Sequence, residues 1–331
     1  MPELRYNTLT REWVIIATER AKRPEEFAKV KKEKQLPEYS SACPFCPGNE
    51  HLTPPPTMVI PNHGAWRVRV TPNKFSALSR EGERRRVSQG VRRMVTGVGI
   101  HEVIVETPFH NQTTALLEDS QVELVIEAYL DRFRFASADP RVEQVTIFKN
   151  HGEAAGTSLE HPHSQIIGTP VITTQVRDRL VNAGSHYDEF GECIFCRVLE
   201  VEVKEKIRIV LESEHFVAFV QYAALTPFSL LIMPRRHMAV FSEMNDREAA
   251  DLARILRRVL AKLYRGLQDP DYNYTIRTAP TDHAGVRYYH WYLSIIPRLT
   301  RVAGFELGAG MFINVSLPEE NAEFLRSVSL T

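Results

Sequence analysis

The chain lacks several features that would assign it to a specialised class. Its 331 residues carry no net charge, because 41 basic residues balance 41 acidic ones. That balance removes the broad positive footprint by which a protein grips nucleic acid through phosphates, so no nucleic-acid partner is expected. No apolar run approaches the roughly 20 residues that span a bilayer, and the polar start MPELRYNTLTREW has no secretory core. The expectation is a soluble, cytoplasmic protein with no membrane partner. Cysteine is scarce as well: four residues fall into two pairs, Cys43-Pro-Phe-Cys46 and Cys193-Ile-Phe-Cys196. In a reducing compartment that spacing points to metal ligands or a redox pair rather than structural disulfides. A thioredoxin-like role fits poorly, since neither pair sits between a strand and a helix of a βαβ unit.

What is present comes twice. The length suggests about two domains, and a 43% hydrophobic composition lets each bury a core. Cys193 follows Cys43 by 150 residues, and a common order of elements follows each pair. Strand-like runs Trp66–Thr71 and His101–Glu106 lead to His110, and runs His215–Val220 and Phe228–Met233 lead to His237. Next come helical stripes with apolar residues three and four apart, over 120–136 and 246–267. A further strand and a glycine-containing loop then precede His161 and His290, each opening a last strand. Strands in hairpins with one long helix on a face make each half α+β, an antiparallel sheet with a long helix produced by internal duplication. Residues 171–192 carry turn signals and little periodicity, which places the join there and the domains at 1–175 and 176–331. Residues 24–42 read as a solvated arm, Arg84 to Arg93 as a solvated loop, and a last helix starts after Pro318.

Two thiolates and two imidazoles complete a closed tetrahedral shell for zinc. The first set is Cys43, Cys46, His110 and His161, and the second is Cys193, Cys196, His237 and His290. The segment from Asn150 through His161-Pro-His163-Ser-Gln165 holds the most reactive chemistry. Residues i and i+2 of an extended segment share a side, so His161 can hold metal while His163 faces substrate. The preceding loop, with Gly152, Gly156, Thr157 and Ser158, is small and polar enough to let backbone N–H groups approach phosphate. A neutral imidazole beside such a pocket can attack phosphorus and form an N–P bond.

These segments resemble the galactose-1-phosphate uridylyltransferase family of the histidine-triad superfamily. The likeness rests on Arg20-Ala-Lys-Arg23-Pro, Cys43-Pro-Phe-Cys46, Asn73 in Thr-Pro-Asn-Lys-Phe, Phe148-Lys-Asn150, His161-Pro-His163-Ser-Gln165 and His290-Trp-Tyr-Leu. It implies two histidine-triad-like halves in a homodimer acting on a nucleotide sugar and a sugar 1-phosphate. It implies His163 as nucleophile, His161 as zinc ligand, Gln165, Ser158 and Asn150 around the transferred phosphoryl, and Arg20, Arg23 and Asn73 as substrate-binding positions. Gln165 stands where triad hydrolases carry a third histidine, and it favours phosphate acceptors over water, because a sugar phosphate leaves as a stabilised anion. The expected activity is UDP-glucose–hexose-1-phosphate uridylyl transfer by a ping-pong route. The stretch Gly304–Asn314 lacks the Tyr-Glu pair that contacts the hexose in the better-known members and is also similar to the plant ADP-glucose phosphorylases. The alternative is therefore an ADP-sugar or dinucleoside-polyphosphate phosphorylase using orthophosphate. A double zinc-ribbon nucleic-acid module is the expectation from another class, and the neutral charge speaks against it.

Overall fold

A sheet of ten strands is the frame on which everything else is mounted. The computed structural model of the chain describes residues 1–20, 22–28 and 36–330, and of Arg20 the backbone alone. In chain order the strands are β1 (Glu3–Asn7), β2 (Glu12–Ile16), β3 (Met58–Ile60), β4 (Val68–Pro72), β5 (Arg86–Gln89), β6 (Arg92–Val95), β7 (Ile100–Val105), β8 (Gln144–His151), β9 (His163–Thr169), β10 (Ile209–Glu212), β11 (Phe216–Val220), β12 (Leu230–Pro234), β13 (Tyr272–Arg277), β14 (Tyr292–Pro297) and β15 (Phe312–Asn314). The helices are α1 (Asp119–Ser137), α2 (Thr174–Phe190), α3 (Ile194–Glu205), α4 (Asp246–Leu267), α5 (Gly304–Ala309) and α6 (Pro318–Ser327).

The large sheet runs β10-β11-β12-β14-β13-β8-β9-β7-β4-β3 and is antiparallel throughout. Its first five strands come from the second part of the chain and its last five from the first, in mirrored order. The duplicated units are fused edge to edge. At the seam β8 pairs with β13, its counterpart, with Asn150 opposite Asn273 and Lys149 opposite Tyr274. This pairing removes one exposed edge from each unit.

Alternation along the strands divides the side chains between two faces. Ile147 of β8, Ile166 of β9, Ile232 of β12 and Leu293 of β14 are buried in the main core beneath α1 and α4. Helix α1 contributes Val122, Val125, Tyr129 and Phe133, and α4 contributes Leu252, Ile255, Leu256, Val259 and Leu263, the stripes expected from the sequence. Helix α4 starts at a capping box, in which Asn245 Oδ1 accepts from Glu248 N–H at 3.0 Å and Glu248 Oε2 accepts from Asn245 N–H at 2.9 Å. On the opposite face α3 covers Val217, Phe219, Leu231 and Met233 with Phe195 and Leu199. A small sheet, β1-β2-β15, ties the chain's two ends together, β15 running parallel to β2 with Phe312 opposite Val14.

Three expectations change. Residues 171–192 are mostly the helix α2; only Val176 and Ala183 along it are buried, too sparse a pattern to show a helical period. The arm is not wholly solvated, since Pro24–Phe27 forms a turn whose buried Phe27 packs edge-on against Phe228 at 5.8 Å; residues 29–35 of that arm lie outside the described residues. The arginine-rich segment 84–93 includes an exposed hairpin, β5-β6, rather than a loop.

Replacing Leu256, 1% exposed between α4 and the sheet, by Ala should cost about 2–5 kcal/mol of unfolding free energy. Denaturant melts of the two proteins measure it directly.

Candidate active site

The turn before β9 brings two histidines into two different surroundings. The ligand atoms of Cys43, Cys46, His110 and His161, all buried, lie within 4.8 Å of one another. Nδ1 of His110 and Nδ1 of His161 each stand 3.6 Å from Cys46 Sγ. His161 Nε2 donates to the Thr107 carbonyl at 2.8 Å, which fixes the tautomer and leaves Nδ1 its lone pair. Burial pulls the His161 pKa down to about 4, so the ring is neutral at physiological pH, the form that binds a metal ion. This buried group can hold a metal ion.

Two residues on, His163 Nδ1 donates to the His161 carbonyl at 2.9 Å. A carbonyl only accepts, so Nε2 is the unprotonated nitrogen. Burial lowers the His163 pKa, and the nearby Lys149 charge adds to the effect, against the opposing His161 carbonyl and Glu106. Both imidazoles pack around the Phe45 ring, at 6.1 Å for His161 and 5.2 Å for His163. His163 opens onto a cavity of about 1360 Å³ lined by Lys149, Asn150, His151, Gly152, Thr157 and Ser158 among others. The cavity wall is built from both halves. Asn273 of β13 donates to Asn150 Oδ1 at 2.8 Å and to the Ala155 carbonyl at 2.9 Å, fixing both the side chain and the loop. Gly152, at φ 83°, lies so close to Asp271 that a Cβ would fall 2.0 Å from its Oδ1. That carboxylate accepts the Ala154 N–H at 2.7 Å, so the tight approach shapes the loop. Beneath the floor Lys149 pairs with Glu106, both buried. Burial raises the Glu106 pKa, but the Lys149 charge, with hydrogen bonds from Lys149 and Thr114, outweighs it and holds the carboxyl below its usual range.

Gln165 follows His163 on the same side of β9, outside the cavity lining. Its Oε1 accepts from Asn73 Nδ2 at 3.2 Å and from His101 Nε2 at 2.8 Å. Ala77 N–H donates to His101 Nδ1 at 3.1 Å, which sets that tautomer. With its oxygen held twice, Gln165 is left to present its amide N–H groups. Arg23 is exposed at the start of the Pro24–Phe27 turn and does not line the cavity; the Arg20 side chain lies outside the described residues.

Comparison with known proteins agrees over the whole chain. Residues 1–173 match the family model for the N-terminal domain of galactose-1-phosphate uridyl transferase, and residues 174–330 match the C-terminal domain. The chain belongs to the galactose-1-phosphate uridylyltransferase family. It is 36% identical to the ADP-glucose phosphorylase of Arabidopsis thaliana, over all of this chain and 94% of that one. To the galactose-1-phosphate uridylyltransferase of Thermotoga maritima it is 31% identical, over 100% of this chain and 99% of the relative. The crystal structure of the Arabidopsis phosphorylase with bound ADP-glucose superposes with a TM-score of 0.86 at 34% identity, over the full length of both chains.

The duplication within this uridylyltransferase-family chain extends to its second Cys/His set. Cys193, Cys196 and His237 offer ligand atoms within 4.8 Å of one another. His290 stands outside that group, although its Nδ1 is 3.3 Å from Cys196 Sγ. His237 Nδ1 is 3.2 Å from the same sulfur while Nε2 donates to the Val286 carbonyl at 3.0 Å, repeating the arrangement at His161. The Cys193 thiol is drawn down to about 5 by hydrogen bonds from Cys196 and His237, and Cys196 is pushed up in turn. A thiolate beside a thiol suits a metal site as well.

Two residues that shape the site carried no motif. His101 was legible only as the start of a strand, and Asn273 acts through a pairing between strands more than a hundred residues apart in sequence.

Metal analysis of the purified protein should find zinc, with the first set filled. Cys43→Ser should remove that ion and destabilise the fold, whereas Cys193→Ser should leave it in place. Zinc-free protein with native stability would contradict this.

Proposed function

We propose that this protein transfers a nucleotidyl group from a nucleotide sugar to a phosphate acceptor through a covalent bond to His163. The observation that carries the reading is the His163 imidazole itself, neutral, pinned at Nδ1 and open at Nε2 to a large polar cavity. Nε2 attacks the phosphorus of the nucleotidyl group, the bond to the sugar 1-phosphate oxygen breaks, and sugar 1-phosphate departs. An oxygen of the second phosphate then attacks the same phosphorus, the N–P bond breaks, and neutral His163 returns. Throughout, Nδ1–H stays on the His161 carbonyl, so the ring keeps its orientation as charge develops. Gln165, with Asn73 and His101 behind it, and Asn150, held by Asn273, supply donors for the phosphoryl oxygens. Ser158 adds a hydroxyl on the exposed loop, and Arg20 and Arg23 are assigned to substrate binding. We infer zinc in the Cys43/Cys46/His110/His161 set and in its counterpart, where it would tie distant strands to a Cys-x-x-Cys turn without activating water. The domains divide at 175/176, and a cytoplasmic homodimer is the form inferred.

Two acceptors fit this chemistry. Hexose 1-phosphate gives uridylyl exchange with UDP-glucose; orthophosphate gives phosphorolysis of ADP-glucose. The higher identity and the full-length superposition on the plant phosphorylase favour the second.

His163→Asn should lower turnover by about 10⁴-fold or more while leaving folding and metal content intact. Substantial residual transfer would reject the nucleophile. With wild-type enzyme, the specificity constants for ADP-glucose with orthophosphate and UDP-glucose with galactose 1-phosphate separate the acceptors. The first pair should give the larger value.

A further inference from the structure

The cavity at His163 has a further histidine on its wall that the transfer chemistry does not use. His151 ends β8 directly after Asn150 and lines the same space. Adjacent residues of a strand face opposite ways, so its ring does not repeat the Asn150 contact. His151 Nε2 stands 2.7 Å from Asp269 Oδ1, and the ring stacks on Tyr272 with centroids 4.8 Å apart and planes inclined by 25°. Its carboxylate partner comes from the other half of the chain, 118 residues on. Asp269 is reached through Gln268 at the end of α4, and both residues adopt left-handed backbone, at φ 54° and 57°. Two successive non-glycine residues there are strained, and such strain persists where the surrounding structure holds a side chain in a required place. The Asp269 N–H donates to the Tyr264 carbonyl at 2.8 Å, which closes the turn.

A carboxylate accepts, so Nε2 carries the proton and Nδ1 of the neutral ring carries a lone pair. Nδ1 has no hydrogen-bond partner among the described residues, and the side chain is 21% exposed. Lys149, another group on the same wall, is instead bonded to Glu106. Transfer brings two phosphates into this cavity: the one bonded to His163 Nε2, and a second whose oxygen attacks or leaves on the side opposite that bond. The two acceptors differ there in a single proton. Orthophosphate near neutral pH keeps a P–OH, whereas the phosphate of a hexose 1-phosphate dianion has lone pairs alone. A lone pair on Nδ1 accepts a hydrogen bond from the first and repels the second.

We propose that His151, held by Asp269, is a specificity residue for the second phosphate: Nδ1 accepts the P–OH of orthophosphate and disfavours a fully deprotonated phosphate ester. The inference rests on the transfer reading for the identity of that phosphate, while the binding it describes requires no turnover.

Calorimetric titration of the zinc-replete full-length protein with orthophosphate and with sulfate tests it, at about pH 8 and so above the ordinary histidine range. Sulfate matches the phosphate dianion in shape and charge and lacks the proton. Wild type should bind orthophosphate roughly tenfold more tightly than sulfate, as expected for one hydrogen bond to a charged group. His151→Phe keeps a ring against Tyr272 and removes the acceptor; it should bind the two anions about equally, with zinc content and melting unchanged. A loss of structure alone would weaken both anions and leave their ratio in place. Asp269→Gly suits the positive φ and releases the imidazole, so it should narrow the ratio too, and it decides the matter if His151→Phe does not fold. Equal affinities in wild type, or an unchanged ratio in either folded variant, would overturn the proposal. On the nucleotidylated protein, the preference for discharge by orthophosphate over galactose 1-phosphate should shrink in His151→Phe by a similar factor. Failure of the anion ratio counts against His151 alone, and failure of the adduct to form counts against the transfer reading alone.

Discussion

The hydrogen bond from His163 Nδ1 to the carbonyl of His161 is the contact on which the site turns. One residue serves both ends of it: the His161 side chain belongs to the buried Cys/His group, and its backbone oxygen orients the neighbouring imidazole. The His161 ring is itself locked through Nε2 on the Thr107 carbonyl. Orientation of the His163 ring is thereby inherited from a fully buried cluster that ties the Cys-x-x-Cys turn to the start of β9. A metal ion held there would stiffen the arrangement without touching the substrate.

The second constraint is the seam. Because β8 and β13 pair, side chains from one duplicated unit finish the other's site, as Asn273 does for Asn150. On the helix side of the same seam, Tyr129 and Tyr274 meet hydroxyl to hydroxyl beside the buried Lys149–Glu106 pair. Burial pushes both tyrosines well above their usual range, so they remain neutral donors around that pair. Duplication thus produced more than two copies of a fold: joined at this edge, one unit became a support for the chemistry of the other, while its own equivalent of His163 is Tyr292.

The sequence revealed the elements whose stabilisation is local and periodic. Helices α1 and α4 bury stripes with three- and four-residue spacing, and the strands after each Cys-x-x-Cys are short runs rich in β-branched and aromatic residues, so their positions were legible to within a few residues. The histidines and cysteines were legible because their order recurs. Helix α2 was not, because it buries only Val176 and Ala183 and leaves most of its surface in solvent. The pairing of β15 with β2 joins segments about three hundred residues apart, and nothing local specifies it. His101 and the fusion of the halves were hidden for the same reason: each acts through a partner distant in sequence. The second Cys/His set shows the limit of a repeated order, since His290 reaches Cys196 but stands outside the group formed by the other three.

The central claim is that His163 Nε2 is the atom that takes up the nucleotide. Mass spectrometry of the protein mixed with ADP-glucose or UDP-glucose in the absence of acceptor tests it most directly. The account predicts an increase of one nucleoside monophosphate per chain, acid-labile and base-stable, located on the peptide that contains His163 and discharged by phosphate acceptor. An adduct on another residue, or full turnover with no adduct detected after rapid quenching, would contradict it.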